Sequence, residues 1–263
     1  MRLAVAATAP FGADVLERLA AKHEIAYVLT RPDRPRGRGR RLGSPPAKEA
    51  AERLGLDVRQ PERLGPDFDP SESTVVAAAY GLLIPDAALE RALWLNVHPS
   101  LLPRWRGAAP IERALMAGDE QTGVTIHRTT PELDAGPIAA QRAFAIGEDD
   151  DFGSVSRKAA ELAVALLDEV LPEPAFTPQP EGGVTYAHKI EPRDRELDLG
   201  RPPEELLNRI RALSPHIGAR AELHGRPVTI WRAEIEDGEL VPVEVQPDGR
   251  RRMSYDEFLR GLR

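Results

Sequence analysis

The densest group of side chains able to do chemistry lies in a short segment from Asn96 to Gly107. Asn96 and His98 are two residues apart, so on an extended chain their side chains point to the same side. A neutral amide and an imidazole held together can stabilise a developing oxyanion and move a proton. From the residues alone, a histidine that only completes hydrogen bonds at a strand end explains His98 equally well.

Asp134 is an acidic candidate further along the chain, in the segment Glu132–Pro137 between two predicted strands. An acid in such a loop most often hydrogen-bonds its own backbone, and a catalytic carboxylate is the alternative. No other histidine lies near a matching acid, because His23 ends a predicted helix and His127 lies within a predicted strand. From the residues alone, the role of Asp134 therefore stays open between a turn residue and a catalytic acid.

Several other chemistries are excluded by what the sequence lacks. There is no cysteine, so a thiol nucleophile, a disulfide and a cysteine-bound metal are ruled out. No His-Glu-x-x-His spacing is present, and we expect no metal. The segment Ala6–Gly12 follows the first predicted strand without a Gly-x-Gly-x-x-Gly pattern, which disfavours dinucleotide binding.

The elements that must position these residues alternate between strands and helices. Such alternation predicts an α/β fold with an open, mostly parallel sheet and helices on both faces. The strongest apolar runs predict strands at 2–7, 25–30, 74–79 and 93–97. Asn96 and His98 then lie at the carboxyl end of the fourth strand, where ligands bind in open sheets of this kind.

The chain divides at a segment rich in proline and glycine. The twelve residues from Pro172 to Gly183 contain four prolines and two glycines, a composition typical of a linker. We predict a catalytic domain at 1–172, a linker at 173–183 and a small domain at 184–263. In the last part a helix precedes three β-like runs, which predict a small β-barrel-like or open sheet.

Charge and hydropathy restrict the partners and the cellular location that we expect for the protein. The net charge is −7, which argues against a generally basic surface for nucleic acids, and no DNA partner is expected. Residues 31–41 nevertheless hold six arginines against one aspartate, a local feature that needs a local explanation. Its prolines and glycines predict a loop without regular pairing. No apolar run approaches the ~20 residues of a membrane span, so we expect a soluble, cytoplasmic protein.

The motifs resemble those of a known family, the 10-formyltetrahydrofolate-dependent formyltransferases. The segment Asn96–Pro103, followed by Leu133–Gly136, looks like the signature of that family, and the likeness continues through Arg104–Ile111. Two more segments, Arg31–Leu42 and Val184–Ile190, are similar to the inserted loop and second domain of the members that act on methionyl-tRNA. Three motifs in the right order are much more specific than any one of them.

The resemblance implies a role for each matching residue. Asn96, His98 and Asp134 match the catalytic trio of the family. The segment that contacts the folate corresponds to Ser100, Leu101, Leu102 and Pro103. The loop that binds tRNA corresponds to Arg34, Arg36, Arg38, Arg40 and Arg41, with Arg38 at the position that contacts the acceptor end. The implied reaction transfers a formyl group from 10-formyltetrahydrofolate to the α-amine of initiator methionyl-tRNA, through a Rossmann-like formyltransferase domain and a small C-terminal tRNA-binding domain.

Three departures from the family pattern keep alternatives open. Pro99 replaces the small residue more usual after the histidine in enzymes that act on tRNA, and His-Pro-Ser-Leu-Leu-Pro is familiar from the purine-pathway transformylase. Ala7 stands where glycine is usual, and the second domain is shortened between Ile235 and Gly238. A formyltransferase acting on a small amine, such as an amino-sugar nucleotide or glycinamide ribonucleotide, is therefore the main alternative. A tRNA-binding module with a degenerate site is a second one, against which the intact trio argues.

Overall fold

A computed structural model describes residues 1–36 and 41–262 of the chain. The strands are β1 (Arg2–Ala7), β2 (Glu24–Leu29), β3 (Arg34–Arg36), β4 (Arg41–Gly43), β5 (Val58–Arg59), β6 (Thr74–Ala78), β7 (Leu93–His98), β8 (Arg106–Gly107), β9 (Gln121–Arg128), β10 (Ile138–Ala145), β11 (Tyr186–Ala187), β12 (Ala219–Leu223), β13 (Arg226–Glu236), β14 (Glu239–Pro247) and β15 (Met253–Ser254). The helices are α1 (Pro10–Ala20), α2 (Pro46–Arg53), α3 (Asp86–Arg91), α4 (Pro110–Met116), α5 (Phe152–Val170), α6 (Pro203–Leu213) and α7 (Tyr255–Arg260), with a 3₁₀ helix at Pro192–Arg195.

Seven strands form the main sheet, in the order β10-β9-β7-β6-β1-β2-β5. The five strands from β7 to β5 run parallel, and β9 runs antiparallel to β7. Five consecutive residues of β1, Leu3–Ala7, are fully buried, as expected for a strand covered on both faces. The predicted open and mostly parallel sheet is confirmed.

Contacts within the chain divide it into two compact units that do not follow the sequence linearly. One consists of Met1–Arg106, Gly123–Ala143 and Arg157–Thr185. The other consists of Gly107–Thr122, Phe144–Ser156 and Tyr186–Arg263. The second unit thus includes two segments that precede residue 172. The predicted division into 1–172, 173–183 and 184–263 stays a prediction.

The second unit contains a four-stranded antiparallel sheet in the order β12-β13-β14-β15. Its core includes Ile210 and Leu213 of α6, Val228 and Ile230 of β13, and Phe258 of α7. The small C-terminal β-rich domain is confirmed. Of the two forms that the pattern allowed, the part of the chain that the structure describes has the open sheet, with β12 and β15 at its edges.

The arginine-rich segment begins and ends with regular pairing, so the prediction of a loop without pairing is wrong at its ends. β3 and β4 form an antiparallel pair in which Arg34 lies opposite Gly43 and Arg36 opposite Arg41. A two-stranded ladder tolerates Pro35 because each strand is an edge strand, and the position of the missing N–H can face away from the partner strand. Residues 37–40, which include Arg38 and Arg40, lie outside the described residues.

The predicted linker is anchored in its middle and exposed at its end. The amide and carbonyl of Thr177 exchange hydrogen bonds of 2.9 and 2.8 Å with those of Ile138 at the start of β10. Residues 180–183 are exposed. The predicted linker therefore lies within the first unit, which extends through Thr185, and its exposed end is at residues 180–183.

Candidate active site

The candidate trio comes together at the carboxyl end of β7. Asn96 and His98 lie on this strand, on the same side as expected from their spacing, and Asp134 follows β9 in the turn before β10. The Nδ2 atom of Asn96 lies 3.2 Å from Oδ1 of Asp134. The Nδ1 atom of His98 lies 3.6 Å from Oδ2 of the same carboxylate. One carboxylate thus faces both the amide and the imidazole.

A fourth residue, His127, completes the cluster, and the sequence did not indicate it. It lies directly opposite Asn96 in the antiparallel pair of β7 and β9. Its Nδ1 donates to the carbonyl of Arg128 at 3.1 Å, and its Nε2 accepts a hydrogen from Nδ2 of Asn96 at 3.0 Å. Its Nε2 is also 3.6 Å from Oδ1 of Asp134. Only the strand register reveals this proximity, because 31 residues separate His127 from Asn96.

The Asn96 side chain is oriented by these partners. Both hydrogens of its amide face acceptors, one at His127 and the other at Asp134. A flipped amide would place its oxygen against the carboxylate, so the hydrogen-bond network assigns the orientation. An incoming anionic oxygen would compete for a hydrogen that Asn96 already donates.

His98 is held as a base with one nitrogen free to accept a proton. Its side chain is buried, and Nε2 donates to the carbonyl of Trp105 at 2.8 Å. Burial lowers the pKa of His98 below its ordinary value, against the Asp134 carboxylate and the Trp105 carbonyl, which both raise it. The neutral ring therefore presents an unprotonated Nδ1 toward Asp134. A proton that arrives there would be stabilised by the carboxylate 3.6 Å away.

The turn that carries Asp134 is tightly constrained. Asp134 itself has a φ of 47°, a left-handed conformation that aspartate adopts more readily than most residues. A side chain at Gly136 would place its Cβ only 1.7 Å from the carbonyl oxygen of Arg128. Glycine is therefore required for the turn to lie this close to the end of β9.

The predicted folate-contacting segment forms a turn after β7 that is hydrogen-bonded from β9. The Thr125 hydroxyl donates to the carbonyl of Ser100 at 2.7 Å and accepts the Leu102 amide at 3.1 Å. The Ser100 hydroxyl donates to the carbonyl of Arg104 at 2.7 Å. Ser100, Leu102 and Pro103 are buried, and Leu101 is half-buried. Their role in folate binding stays a prediction.

The predicted tRNA-contacting arginines are only partly described. Arg34 is exposed at the start of β3, and the backbones of Arg36 and Arg41 pair across the hairpin. Arg38 and Arg40 lie outside the described residues. In residues 1–36 and 41–262, no group of three or more acidic, histidine or cysteine side chains is arranged to hold a metal. Within the same residues, no helix is long and apolar enough to cross a membrane.

Taken together, the cluster contains a neutral buried base, a carboxylate beside it and an oriented amide. This set can accept a proton from a nucleophile, return it to a leaving group and hold a developing oxyanion. It holds no activated side-chain nucleophile, so it suits direct transfer between two bound substrates.

Comparison with known proteins agrees with these features. The family model described as "Formyl transferase" matches residues 1–171, and the model "Formyl transferase, C-terminal domain" matches residues 189–241. A methionyl-tRNA formyltransferase of Paracoccus denitrificans is 39% identical over 292 residues, which cover 100% of this chain and 98% of that one. One from Halorhodospira halophila is 42% identical over 301 residues, covering 100% and 96% of the two chains.

Solved structures share the fold at low sequence identity. A methionyl-tRNA formyltransferase from Clostridium thermocellum aligns with a TM-score of 0.66 at 16% identity, covering 94% of this chain and 98% of that one. HypX from Aquifex aeolicus in complex with tetrahydrofolic acid aligns with a TM-score of 0.66 at 19% identity, covering 98% and 46%. The site, the two family matches and the full-length relatives lead to one conclusion: this chain belongs to the formyl transferase family.

Proposed function

We propose that this protein transfers the formyl group of 10-formyltetrahydrofolate to the α-amine of initiator methionyl-tRNA. The observation that carries the proposal is the convergence of Asn96, His98 and Asp134 at one sheet edge. This site occurs in a chain 39% and 42% identical, over its whole length, to proteins with the name of that enzyme. The proposal places the reaction in the cytoplasm, where the acceptor is charged.

The reaction is an acyl transfer between two nitrogens. The free α-amine attacks the formyl carbon and forms a C–N bond, and the formyl oxygen takes the negative charge of the tetrahedral intermediate. The bond between that carbon and folate N10 then breaks, the carbonyl reforms, and N10 gains the proton that the amine loses. An α-amine has a pKa of about 7.7–8.0, so a useful fraction is already nucleophilic at neutral pH.

His98 is the proposed proton carrier. Its lowered pKa keeps the ring neutral, so Nδ1 can take the proton from the attacking amine. Asp134 stabilises the resulting imidazolium from 3.6 Å and keeps the proton available for the leaving nitrogen. Because the proton enters and leaves at the same group, no net change in the site remains after one turnover.

Asn96 is the proposed donor to the oxyanion. Its amide would exchange its 3.0 Å hydrogen bond to His127 for one to the formyl oxygen, which becomes a better acceptor as negative charge develops. His127 holds the amide in place before the substrate binds. Preorganised donors of this kind each lower the barrier by about 3–4 kcal/mol.

The edge of the sheet that carries the trio also offers apolar side chains for the ring system of the donor. Leu83, in the loop after β6, is 85% exposed, and Leu101, in the turn after the neighbouring strand β7, is half-buried. Apolar side chains next to a polar cluster are typical of sites that bury a ring system and orient its reactive end. We assign the donor to the segment Ser100–Pro103 and this adjoining surface.

The arginine-rich hairpin is the proposed contact for the tRNA acceptor end. A planar guanidinium binds phosphate through two hydrogen bonds and stacks on unpaired bases, which suits a single-stranded RNA end. Arg34, Arg36, Arg38, Arg40 and Arg41 concentrate this chemistry on a protein whose net charge is −7. A smaller domain at 184–263, after a connection at 173–183, is the proposed second contact for the tRNA.

The proposed site is tested by substituting its three members separately. We expect Asn96→Ala, His98→Ala and Asp134→Asn each to lower kcat by ~10²-fold or more, since each removes an interaction strongest in the transition state. Circular dichroism should show an unchanged fold, and equilibrium dialysis should show retained folate binding. Near-normal turnover in all three variants would refute the assignment.

A further inference from the structure

Gln179 lies in the segment predicted to be a linker, yet its side chain reaches the turn that carries Asp134. Its Nε2 donates to the backbone carbonyl of Asp134 at 2.7 Å and to that of Gly136 at 2.9 Å. One amide group thus binds the carbonyls on both sides of Ala135. The two hydrogen bonds connect the turn to a part of the chain 45 and 43 residues away.

Arg106 fixes the orientation of the Gln179 amide. Its Nε and Nη2 atoms donate to Oε1 of Gln179 at 3.2 and 2.7 Å. Arg106 is buried, with 8% of its surface exposed, and its guanidinium cannot accept a hydrogen bond. Because the guanidinium requires an acceptor, the oxygen must face Arg106 and the nitrogen must face the two carbonyls.

The turn needs such support because its conformation is unfavourable. Asp134 has a φ of 47°, and residues other than glycine pay a cost of about 1–3 kcal/mol for sparsely populated conformations. Beyond the turn, the backbone pairing of Thr177 with Ile138 brings Gln179 to this place. The segment after α5 therefore reaches the turn by a strand-like pair and holds it with one side chain.

We propose that Gln179 is a positioning residue that fixes the Asp134 carboxylate beside His98 and Asn96. The inference rests on the proposed function, because it assumes that this carboxylate acts in formyl transfer. The side chain of Gln179 binds backbone carbonyls of the turn, and Gln179 does not touch the reacting atoms. Its loss allows the turn to relax from the left-handed conformation, which moves the carboxylate away from Nδ1 of His98.

Replacing Gln179 with alanine separates positioning from general stability. We expect Gln179→Ala to lower kcat by about 10- to 100-fold, since a displacement of ~1 Å in a reacting group has effects of that size. The KM for methionyl-tRNA should change much less than kcat. The pH–kcat profile should also move to lower pH, because a more distant Asp134 raises the pKa of His98 less. Loss of stability alone would lower the apparent kcat by reducing the folded fraction, but it would leave the pH profile in place.

The isosteric change Gln179→Glu gives a second, independent test. One oxygen of the new carboxylate still accepts from Arg106, but the other faces two carbonyl oxygens and can donate only when it is protonated. The ratio of its kcat to the wild-type kcat should therefore rise as the pH falls. Glu181→Ala, two residues further along the same segment and exposed, is the matched control and should behave like the wild type.

The outcomes distinguish this inference from the proposed function when Asp134→Asn is measured alongside. If Asp134→Asn is inactive while Gln179→Ala matches the Glu181→Ala control in kcat and pH profile, the positioning role is wrong and the proposed function stands. If the wild-type protein transfers no formyl group to methionyl-tRNA, the proposed function itself fails. If the wild type is active and Asp134→Asn is fully active as well, the positioning inference fails, because the carboxylate is then not needed. Failure of both Gln179 variants to fold would also overturn the inference, because a positioning residue does not carry the fold.

Discussion

At the residue scale, the site depends on how one carboxylate is shared. Asp134 accepts a hydrogen from Asn96 at 3.2 Å and lies 3.6 Å from Nδ1 of His98. The same group therefore orients the proposed oxyanion donor and raises the proton affinity of the proposed base. Burial of His98 acts in the opposite direction and prevails, which leaves the ring neutral.

This balance predicts a pH dependence with a definite sign. A base whose pKa is lowered by burial loses activity as the pH falls through that pKa, because the ring becomes protonated. Asp134→Asn removes the largest influence that raises the pKa of His98, so the pKa falls further. In the residual activity of Asp134→Asn, measured as kcat against pH, the acid limb should lie at lower pH than in the wild type. An acid limb that stays in place or moves to higher pH would show that His98 is not the titrating base.

The residues of the site differ in how far the sequence could reveal them. Asn96 and His98 were predictable because residues two positions apart on one strand point to the same side. The sequence indicates His127 only as a strand residue, and the antiparallel register of β9 against β7 places it opposite Asn96. Gln179 was hidden by its neighbours, since prolines and glycines indicate a linker whatever one polar side chain among them contacts.

At the element scale, the turn between β9 and β10 limits what the site tolerates. We expect Gly136→Ala to lower kcat by at least ~10²-fold, because the new Cβ would lie 1.7 Å from the Arg128 carbonyl oxygen and the turn must move. Gly182→Ala is the matched control, since a Cβ there meets no atom within 4 Å. Steady-state kinetics of the two variants give the answer. Equal activity would mean that the position of the turn does not matter for transfer.

Most elements of the sheet were predictable, and the exceptions have physical causes. Buried parallel strands are continuous apolar runs, so 2–7, 74–79 and 93–97 correspond closely to β1, β6 and β7. Strands of two or three residues, such as β5 and β15, carry too little periodicity to be recognised. The hairpin of β3 and β4 was missed because prolines and glycines indicate a loop, although a short ladder needs few paired amides.

At the scale of the whole molecule, the connectivity of the two units could not be read from composition. The second unit includes Gly107–Thr122 and Phe144–Ser156, which come from the region predicted as the catalytic domain. Within that unit, Ile111 and Leu115 of α4 pack with Val155 of α5 and Ala212 of α6. Contacts between segments so distant in sequence arise from packing in the folded chain, and a local sequence pattern does not predict them.

The distribution of charge over the whole molecule is the basis on which we propose that the protein selects its acceptor. An acidic protein repels RNA in general, and the six arginines within residues 31–41 are the point of attachment that we propose for the tRNA. Binding of a small amine does not require such a concentration of guanidinium groups. The acceptor is therefore the part of the proposal that most needs a direct test.

The most direct measurement is a comparison of acceptors in one assay. Purified protein is given 10-formyltetrahydrofolate labelled in its formyl group, together with charged initiator tRNA, glycinamide ribonucleotide or an amino-sugar nucleotide. We expect label to accumulate on the methionyl-tRNA, to be recovered as formylmethionine after the ester is hydrolysed, and to be absent from both small amines. His98→Ala in the same reactions should reduce the transfer by ~10²-fold. Label on a small amine, with the methionyl-tRNA left unmodified, would contradict the account.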